Sequence, residues 1–362
     1  MKIAIIGAGK SGCISAIVAK FLSDAVEKNF EIEIYHDPSI IVNEDSVGVT
    51  YPIVKLLYKF HQNKLSFKDA ENYFDATLKT GVLYQNWGKG GYYFHGDDGG
   101  SLMHFIPKKF SDYILGLKFF KVIEKHIVDP ESEVDSDIII DCRGRDESIK
   151  YERLINPITS SMSACKEGED FDEMSNHIAR PHGWILGIPN NKTIYYEYFY
   201  NNMSSKEDVI SDFTEHLGIS PNKYNSIDNY FTDNIFVGER TIISGSRFFS
   251  LEPLESIAFE VNQRIAISGI KYFIGLYTKD IANKKIHDHL MKVESILLWC
   301  YHSGSIYETD FWNYAKNLEF RDTIKDRFLE LVDKCSLSKT GGNGVERMSS
   351  NIFLDELNKS GI

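Results

Sequence analysis

Lys2-Ile3-Ala4-Ile5-Ile6-Gly7-Ala8-Gly9-Lys10-Ser11-Gly12 is the stretch that decides how this chain folds. Lys2 to Ile6 is a short apolar run ending in glycine, and Ile14, Ile17, Val18, Phe21 and Leu22 then recur at helical spacing,. The pattern is strand, tight turn, helix. In such a turn the first glycine permits the bend and the second lets backbone approach a pyrophosphate. The third lets the helix pack on the strand, with its N-terminus facing the phosphates. Gly7, Gly9, Ser11 and Gly12 are therefore candidate cofactor-binding residues. Glu31-Ile-Glu-Ile-Tyr35 alternates like a second strand and ends at His36-Asp37-Pro38, which closes a right-handed strand-helix-strand unit. Asp37, at that strand end, is the candidate acceptor for a ribose hydroxyl.

Outward from this unit the chain reads as one α/β body. Asp137-Ile-Ile-Ile-Asp141, followed by Cys142-Arg143-Gly144, has the look of a buried parallel strand feeding a turn,. Thr193 to Tyr200 is β-branched and aromatic, and Asn234–Gly238 and Thr241–Ser244 form a later pair of strands,. Leu254, Ile257, Ala258, Val261 and Ile265 give the stripe of a helix opened by Pro253,. From Asp280 onward the pattern is helical, through Leu290, Val293 and Leu297 and later Phe328, Leu331 and Val332.

With 362 residues, 43% apolar and 25% charged, the chain can close a sizeable core,. The net charge of −12 argues against nucleic acid or an anionic membrane as partner, since both need a concentrated basic face,. Lys55, Lys59, Lys64 and Lys68 recur at helical spacing, and a solvated helix face explains them. Five cysteines, Cys13, Cys142, Cys165, Cys300 and Cys335, are scattered, so no disulfide framework or metal site is expected and a reducing, cytoplasmic setting follows,. His287 and His289, two apart on a helix, do not make a metal pair. The most apolar stretches, such as Ser295–Cys300, are too short to span a bilayer,.

A glycine turn does not choose between dinucleotides, and other segments must. Ala76-Thr-Leu-Lys79-Thr-Gly-Val-Leu-Tyr-Gln-Asn86-Trp87-Gly88, Asp141-Cys-Arg-Gly144, Gly183-Trp184-Ile-Leu186-Gly-Ile188-Pro189 and Phe249-Ser-Leu-Glu252-Pro253-Leu254-Glu255-Ser256 follow in order. Together with the glycine turn they resemble the flavin-dependent tryptophan halogenases. The resemblance implies a Rossmann-like FAD-binding fold of the aromatic-hydroxylase type with a C-terminal helical region. FAD, as FADH2, would be held by the glycine turn, Asp37, Gly144 and Pro253. It further implies that reduced FAD, oxygen and a halide (chloride, bromide or iodide) give hypohalous acid, which Lys79 directs to an aromatic carbon. Glu255, with Ser256, would stabilise the cationic ring intermediate or take its proton. The backbone amides of Ile257 and Ala258 would hold the halide, and Trp184 and Leu186 would separate the flavin and substrate sites. A separate flavin reductase would supply FADH2, and assembly of identical copies is compatible with this picture.

Each residue also has an ordinary explanation. A lone lysine such as Lys79 is usually at the surface, and Glu255 in a first helical turn would complement the helix dipole. Trp184 fills core readily, and Tyr195, Tyr196, Tyr198, Phe199 and Tyr200 at strand spacing suit sheet faces before a pocket. The chain also departs from the family. Leu186 stands where the signature has a second tryptophan, Gly48-Val49-Thr50-Tyr51-Pro52 lacks the family's glutamate, and the interval from Lys79 to Gly183 is shortened. A smaller substrate region implies a more open pocket and an aromatic substrate other than tryptophan. The expected organisation is a body over residues 1–270, with substrate-binding segments at about 50–130 and 150–230, and a helical region over 271–362 packed on it. Two alternatives stand beside the halogenase: a flavin-dependent aromatic monooxygenase and a non-catalytic flavin-binding protein.

Overall fold

The computed structural model describes residues 1–40, 47–49, 72–88, 92–96, 102–167, 173–190, 193–254, 257–321 and 345–347. The strand Lys2–Ile6 lies at the centre of a six-stranded sheet, between Glu31–His36 on one side and Ile138–Asp141 on the other. Lys121–Glu124 and Thr241–Ile243 extend the two sides in parallel, and Phe236–Val237 closes one edge antiparallel. The central strands are apolar throughout because both faces are covered. Ile3, Ile5, Ile34, Ile138 and Ile140 enter the main core, whereas Ala4, Ile6 and Ile139 pack with Tyr35, Ile127 and Val134 on the other face.

The helix Lys10–Ala25 packs directly on this sheet, burying Cys13, Ile14, Ile17, Val18 and Leu22. Its approach depends on two glycines. Gly7 turns the chain at φ +103°, a region L side chains rarely enter,. A Cβ on Gly12 would sit 1.9 Å from the carbonyl oxygen of Gly7.

A second sheet has eight strands. Its order is Lys223–Ser226, Ser160–Glu167, Thr193–Tyr200, Gly183–Asn190, Met174–Arg180, Gly81–Gln85, Tyr92–Gly96 and Val345–Arg347. Gly183–Asn190 is buried along its whole length. Its outer face is covered by the helix Lys206–Leu217, whose Val209, Phe213 and Leu217 meet Met162, Ile185 and Tyr198. Trp184, Leu186 and Ile188 point the other way, into the main core. Thr77–Lys79, Leu102–Phe105 and Val47–Val49 make a small separate sheet, and Thr77 Oγ1 donates to the Pro189 carbonyl at 3.2 Å, tying it to the large one.

Two sequence readings change. The helix expected from Pro253 begins at Ala258 and runs to Phe273. Up to Pro253 the chain is not helical, because Phe249–Ser250 pair with Tyr230–Phe231 and the Glu252 amide donates to Asn229 Oδ1 at 2.9 Å. The residue before a proline also resists helical geometry. In the C-terminal region Lys279–Ser303 and Asp310–Lys316 are helical as expected, but Val345–Arg347 is a strand parallel to Tyr92–Gly96. Phe328, Leu331, Val332, Cys335 and the lysines from Lys55 to Lys68 lie outside the described residues. Among those described, no helix is long and apolar enough to cross a membrane.

Because the helix-strand contact has no room for a methyl group, Gly12→Ala should cost about 1–3 kcal/mol of stability. Gly9→Ala, whose Cβ meets nothing within 4 Å, should cost clearly less. Urea unfolding of both variants beside the wild type measures the difference.

Candidate active site

The two central strands Lys2–Ile6 and Ile138–Asp141 lead off to opposite sides of the sheet, the topology at which open α/β sheets bind ligands beyond the strands' carboxyl ends,. The turn is fixed there by backbone: the Gly7 amide donates to the Tyr35 carbonyl and the Cys142 amide to the Ile6 carbonyl, both at 2.8 Å. Gly9, the N-cap of the first helix, carries no side-chain cap, so first-turn amides stay available to an anion,. A Cβ at Gly9 or at Gly144 would meet nothing within 4 Å, which leaves space where a pyrophosphate would lie. Ser11 packs against Gly245, where a Cβ would come within 2.6 Å of its Oγ. Lys10, half-buried at the helix start, has its pKa lowered by loss of water, with Glu197 on the large sheet opposing. Asp37 stands at the end of Glu31–His36, its carboxylate receiving Ser39 Oγ and Ser39 N at 2.6 and 2.9 Å and lying 2.7 Å from His126 Nδ1. The Ser39 hydroxyl and amide, then His126, hold Asp37 down to about 2. These groups fit a dinucleotide.

Beside them is a clamp that sequence reading missed. Asp141, 2% exposed, takes Arg143 Nε and Nη2 at 2.9 and 2.8 Å and Arg247 Nε at 2.8 Å. Arg247 reaches on to Asp146 and to the Gly144 carbonyl, and Arg143 to the carbonyls of Ile127 and Val128. A carboxylate this buried is tolerated because paired cations and hydrogen bonds replace water. The loop carrying Gly144 is thereby fixed to the segment that leads into Phe249–Glu252.

Lys79 ends the short strand Thr77–Lys79 and is only 4% exposed. On the adjoining strand, His104 is fully buried with Nε2 at 2.8 Å from Ser175 Oγ. Burial, and then the Lys79 charge, hold the His104 pKa well below its usual value. The imidazole is neutral and brings no competing positive charge to the Lys79 ammonium.

Trp184, fully buried, stacks on Phe199 with centroids 4.6 Å apart and lies 6.2 Å from Trp87. Its Nε1 donates to the Tyr301 hydroxyl at 2.9 Å, and that hydroxyl donates to Glu252 Oε2 at 2.6 Å. Asn156 Nδ2 donates to Glu252 Oε1 at 2.5 Å. Burial pushes the Glu252 carboxyl up to about 7, against the pull of Tyr301, Asn156 and Trp184. Leu186 sits in register between His177 and Glu197, and the Glu197 carboxylate receives Ser161 Oγ at 2.6 Å and Tyr195 Oη at 3.0 Å. Ile257 is the N-cap and Ala258 the first residue of the helix to Phe273, so both lie where backbone donors face outward. Glu255 and Ser256 lie outside the described residues, while Pro253 lies between the Glu252 network and that helix.

No family model matches the chain and no curated protein matches it. Solved structures do. A flavin-dependent halogenase from Xanthomonas campestris superposes with a TM-score of 0.78 at 16% identity, covering 100% of this chain and 89% of its own. One from Brevundimonas sp. BAL3 gives 0.78 at 14% identity, covering 100% and 90%. The chain has the fold of the flavin-dependent halogenases. A tryptophan 6-halogenase from Streptomyces toxytricini gives 0.76 at 15% identity, covering 99% and 94%. The likeness runs over the whole of this chain, so the flavin-type sheet, the large second sheet and the C-terminal helices of the halogenase fold are all retained.

Glu252 also makes a prediction about stability. A carboxyl at about 7 in the folded chain and 4.5 when unfolded binds its proton more tightly when folded. Its contribution is complete below about pH 4.5 and is lost as pH rises through about 7. Glu252→Gln should remove that loss, gaining on the wild type by up to roughly 3 kcal/mol between about pH 4.5 and about pH 8. Denaturant unfolding at the two pH values reads the difference.

Proposed function

We propose that this chain is a flavin-dependent halogenase acting on an aromatic small molecule other than tryptophan, with reduced FAD supplied by a separate reductase. The observation that carries the reading is Lys79: a lysine 4% exposed, beside a neutral buried histidine, within the halogenase fold. Bound reduced FAD would supply the two-electron chemistry by which oxygen and halide give hypohalous acid.

The chain's own residues would do the rest. Gly7, Gly9, Ser11 and Gly12 and the amides they free would bind the pyrophosphate, with Asp37, Gly144 and Pro253 along the dinucleotide. The amides of Ile257 and Ala258 would hold halide at a helix N-terminus. Trp184, without solvent exposure, would keep substrate away from flavin, and Leu186 beside it would leave more room than a second tryptophan. Lys79 would hold hypohalous acid by hydrogen bonding or as a haloamine, and desolvation is what makes its amine reactive. An aromatic C–H and hypohalous acid would then become a carbon–halogen bond and water, a step in which Glu255, with Ser256, would stabilise the cationic ring intermediate or take its proton.

The test is a reaction of purified chain with FAD, a flavin reductase, NADH, oxygen and each halide across a panel of aromatic compounds. Halogenated product is expected by mass spectrometry, and Lys79→Ala should abolish it while FAD binding, read by fluorescence, stays unchanged. Product carrying added oxygen in place of halogen, insensitive to Lys79→Ala, would establish a monooxygenase instead. Loss of FAD binding together with activity in Lys79→Ala would remove the lysine from the second site.

A further inference from the structure

The buried carboxyl of Glu252 has no role in the chemistry above, yet four parts of the chain converge on it. It follows the strand Phe249–Ser250 and is 2% exposed. Asn156 reaches it from the loop after Glu152–Arg153, and Tyr301 from the helix Lys279–Ser303. Asn229 takes its main-chain amide, and Trp184 joins through Tyr301 from the centre of the large sheet. The helix is anchored to the same loop a second time, since Glu294 Oε2 receives the Ile155 amide at 3.1 Å while also pairing with Arg321.

We propose that Glu252 is a positioning residue: through Tyr301 it fixes the plane of Trp184, the wall between the flavin and Lys79 compartments. The proposal rests on the halogenase reading. An indole has one polar atom, and the Trp184 N–H is spent on Tyr301. Its ring contacts among the described residues are with Phe199, Trp87 and His177 at centroid distances of 4.6, 6.2 and 5.2 Å. Ring packing is tolerant of sliding and rotation, whereas a hydrogen bond is directional.

The direction of that bond depends on the proton of Glu252. With the carboxylate ionised, donors run one way, Trp184 to Tyr301 to Glu252, and every donor has an acceptor. With the carboxyl neutral, its one O–H must face either the Tyr301 hydroxyl or the Asn156 amide nitrogen, both of them donors to it when it is ionised, so one of the two loses its acceptor,. The titratable groups around the network are Tyr301 itself, Cys300 beside it on the helix, Glu294 two turns earlier, and His177 across Trp184 from the neighbouring strand. Among the described residues no ion pair reaches Glu252. A glutamine would fill the same space with less cost on burial, so the carboxylate trades stability for a wall held tightly above neutral pH.

The experiment measures coupling, the halogenated product formed per reduced FAD consumed, in wild type, Glu252→Gln and Tyr301→Phe from about pH 6 to about pH 8. Coupling in the wild type should climb through about 7, the value to which burial pushes Glu252. In both variants it should fall roughly ten- to a hundredfold, as misplaced groups do in enzymes, and lose its pH dependence. A fluorescence signal of Trp184, taken as the difference from Trp184→Phe in the same background, should show the same transition in wild type and none in Glu252→Gln. Wild type that makes no halogenated product sinks the halogenase reading. Wild type that halogenates, with coupling unchanged in the variants or the fluorescence transition intact in Glu252→Gln, sinks the role of Glu252. If Glu252→Gln does not fold, Tyr301→Phe, which cuts the same link, decides the matter by coupling.

Discussion

The first helix can lie on the central strand only because residue 12 has no Cβ. A methyl group there would sit 1.9 Å from the Gly7 carbonyl, and the helix would have to lift off the sheet. Everything at the cofactor end follows from this contact. It sets the uncapped N-terminus of Lys10–Ala25 beyond the carboxyl end of Lys2–Ile6, and it brings Ser11 against Gly245 and Cys142 against Ser15. The Asp141 clamp then carries that fixed geometry outward, through Arg247 and Arg143, to the loop with Gly144 and to the chain leading into Glu252.

At the other end the constraint is burial. The inner face of the large sheet presents Trp184, Leu186 and Phe199 to the main core, so any polar group there must bring its partner with it. Glu252, Tyr301 and Trp184 satisfy one another, and His104 leans on Ser175 beside Lys79. Such pairings narrow the arrangements the core can adopt. A buried carboxyl held near neutrality is a poor choice for stability, and its place beside Trp184 is a local cost of the kind that folds accept where a site needs it.

The glycine turn, the flanking strand and helix, and the strands Glu31–His36, Ile138–Asp141 and Thr193–Tyr200 were legible in the sequence because each is written in adjacent residues. Period, glycine spacing and β-branching are local signals. The helix expected from Pro253 is there but is regular only from Ala258, for the converse reason: the Phe249–Ser250 pairing with Tyr230–Phe231 and the Asn229 contact of Glu252 come from far along the chain and hold the residues before Pro253 in other bonds. Most of the large sheet was likewise invisible, since Met174–Arg180 and Ser160–Glu167 mix polar and apolar residues without clean alternation and gain their order from neighbours.

By itself, then, the sequence determined the strand, glycine turn and helix at residues 2–25 and which residues carry the halogenase-like motifs, because these are patterns within a few turns or strands. The tertiary structure alone decided that Lys79 is buried beside His104, that Asp141 is clamped by two arginines, and that Glu252 and Trp184 share the Tyr301 hydroxyl. The two bonds of the last network join residues 49 and 117 positions apart. No composition or spacing rule connects them, because what selects each partner is the desolvation of the other, and that exists only once the sheets have closed.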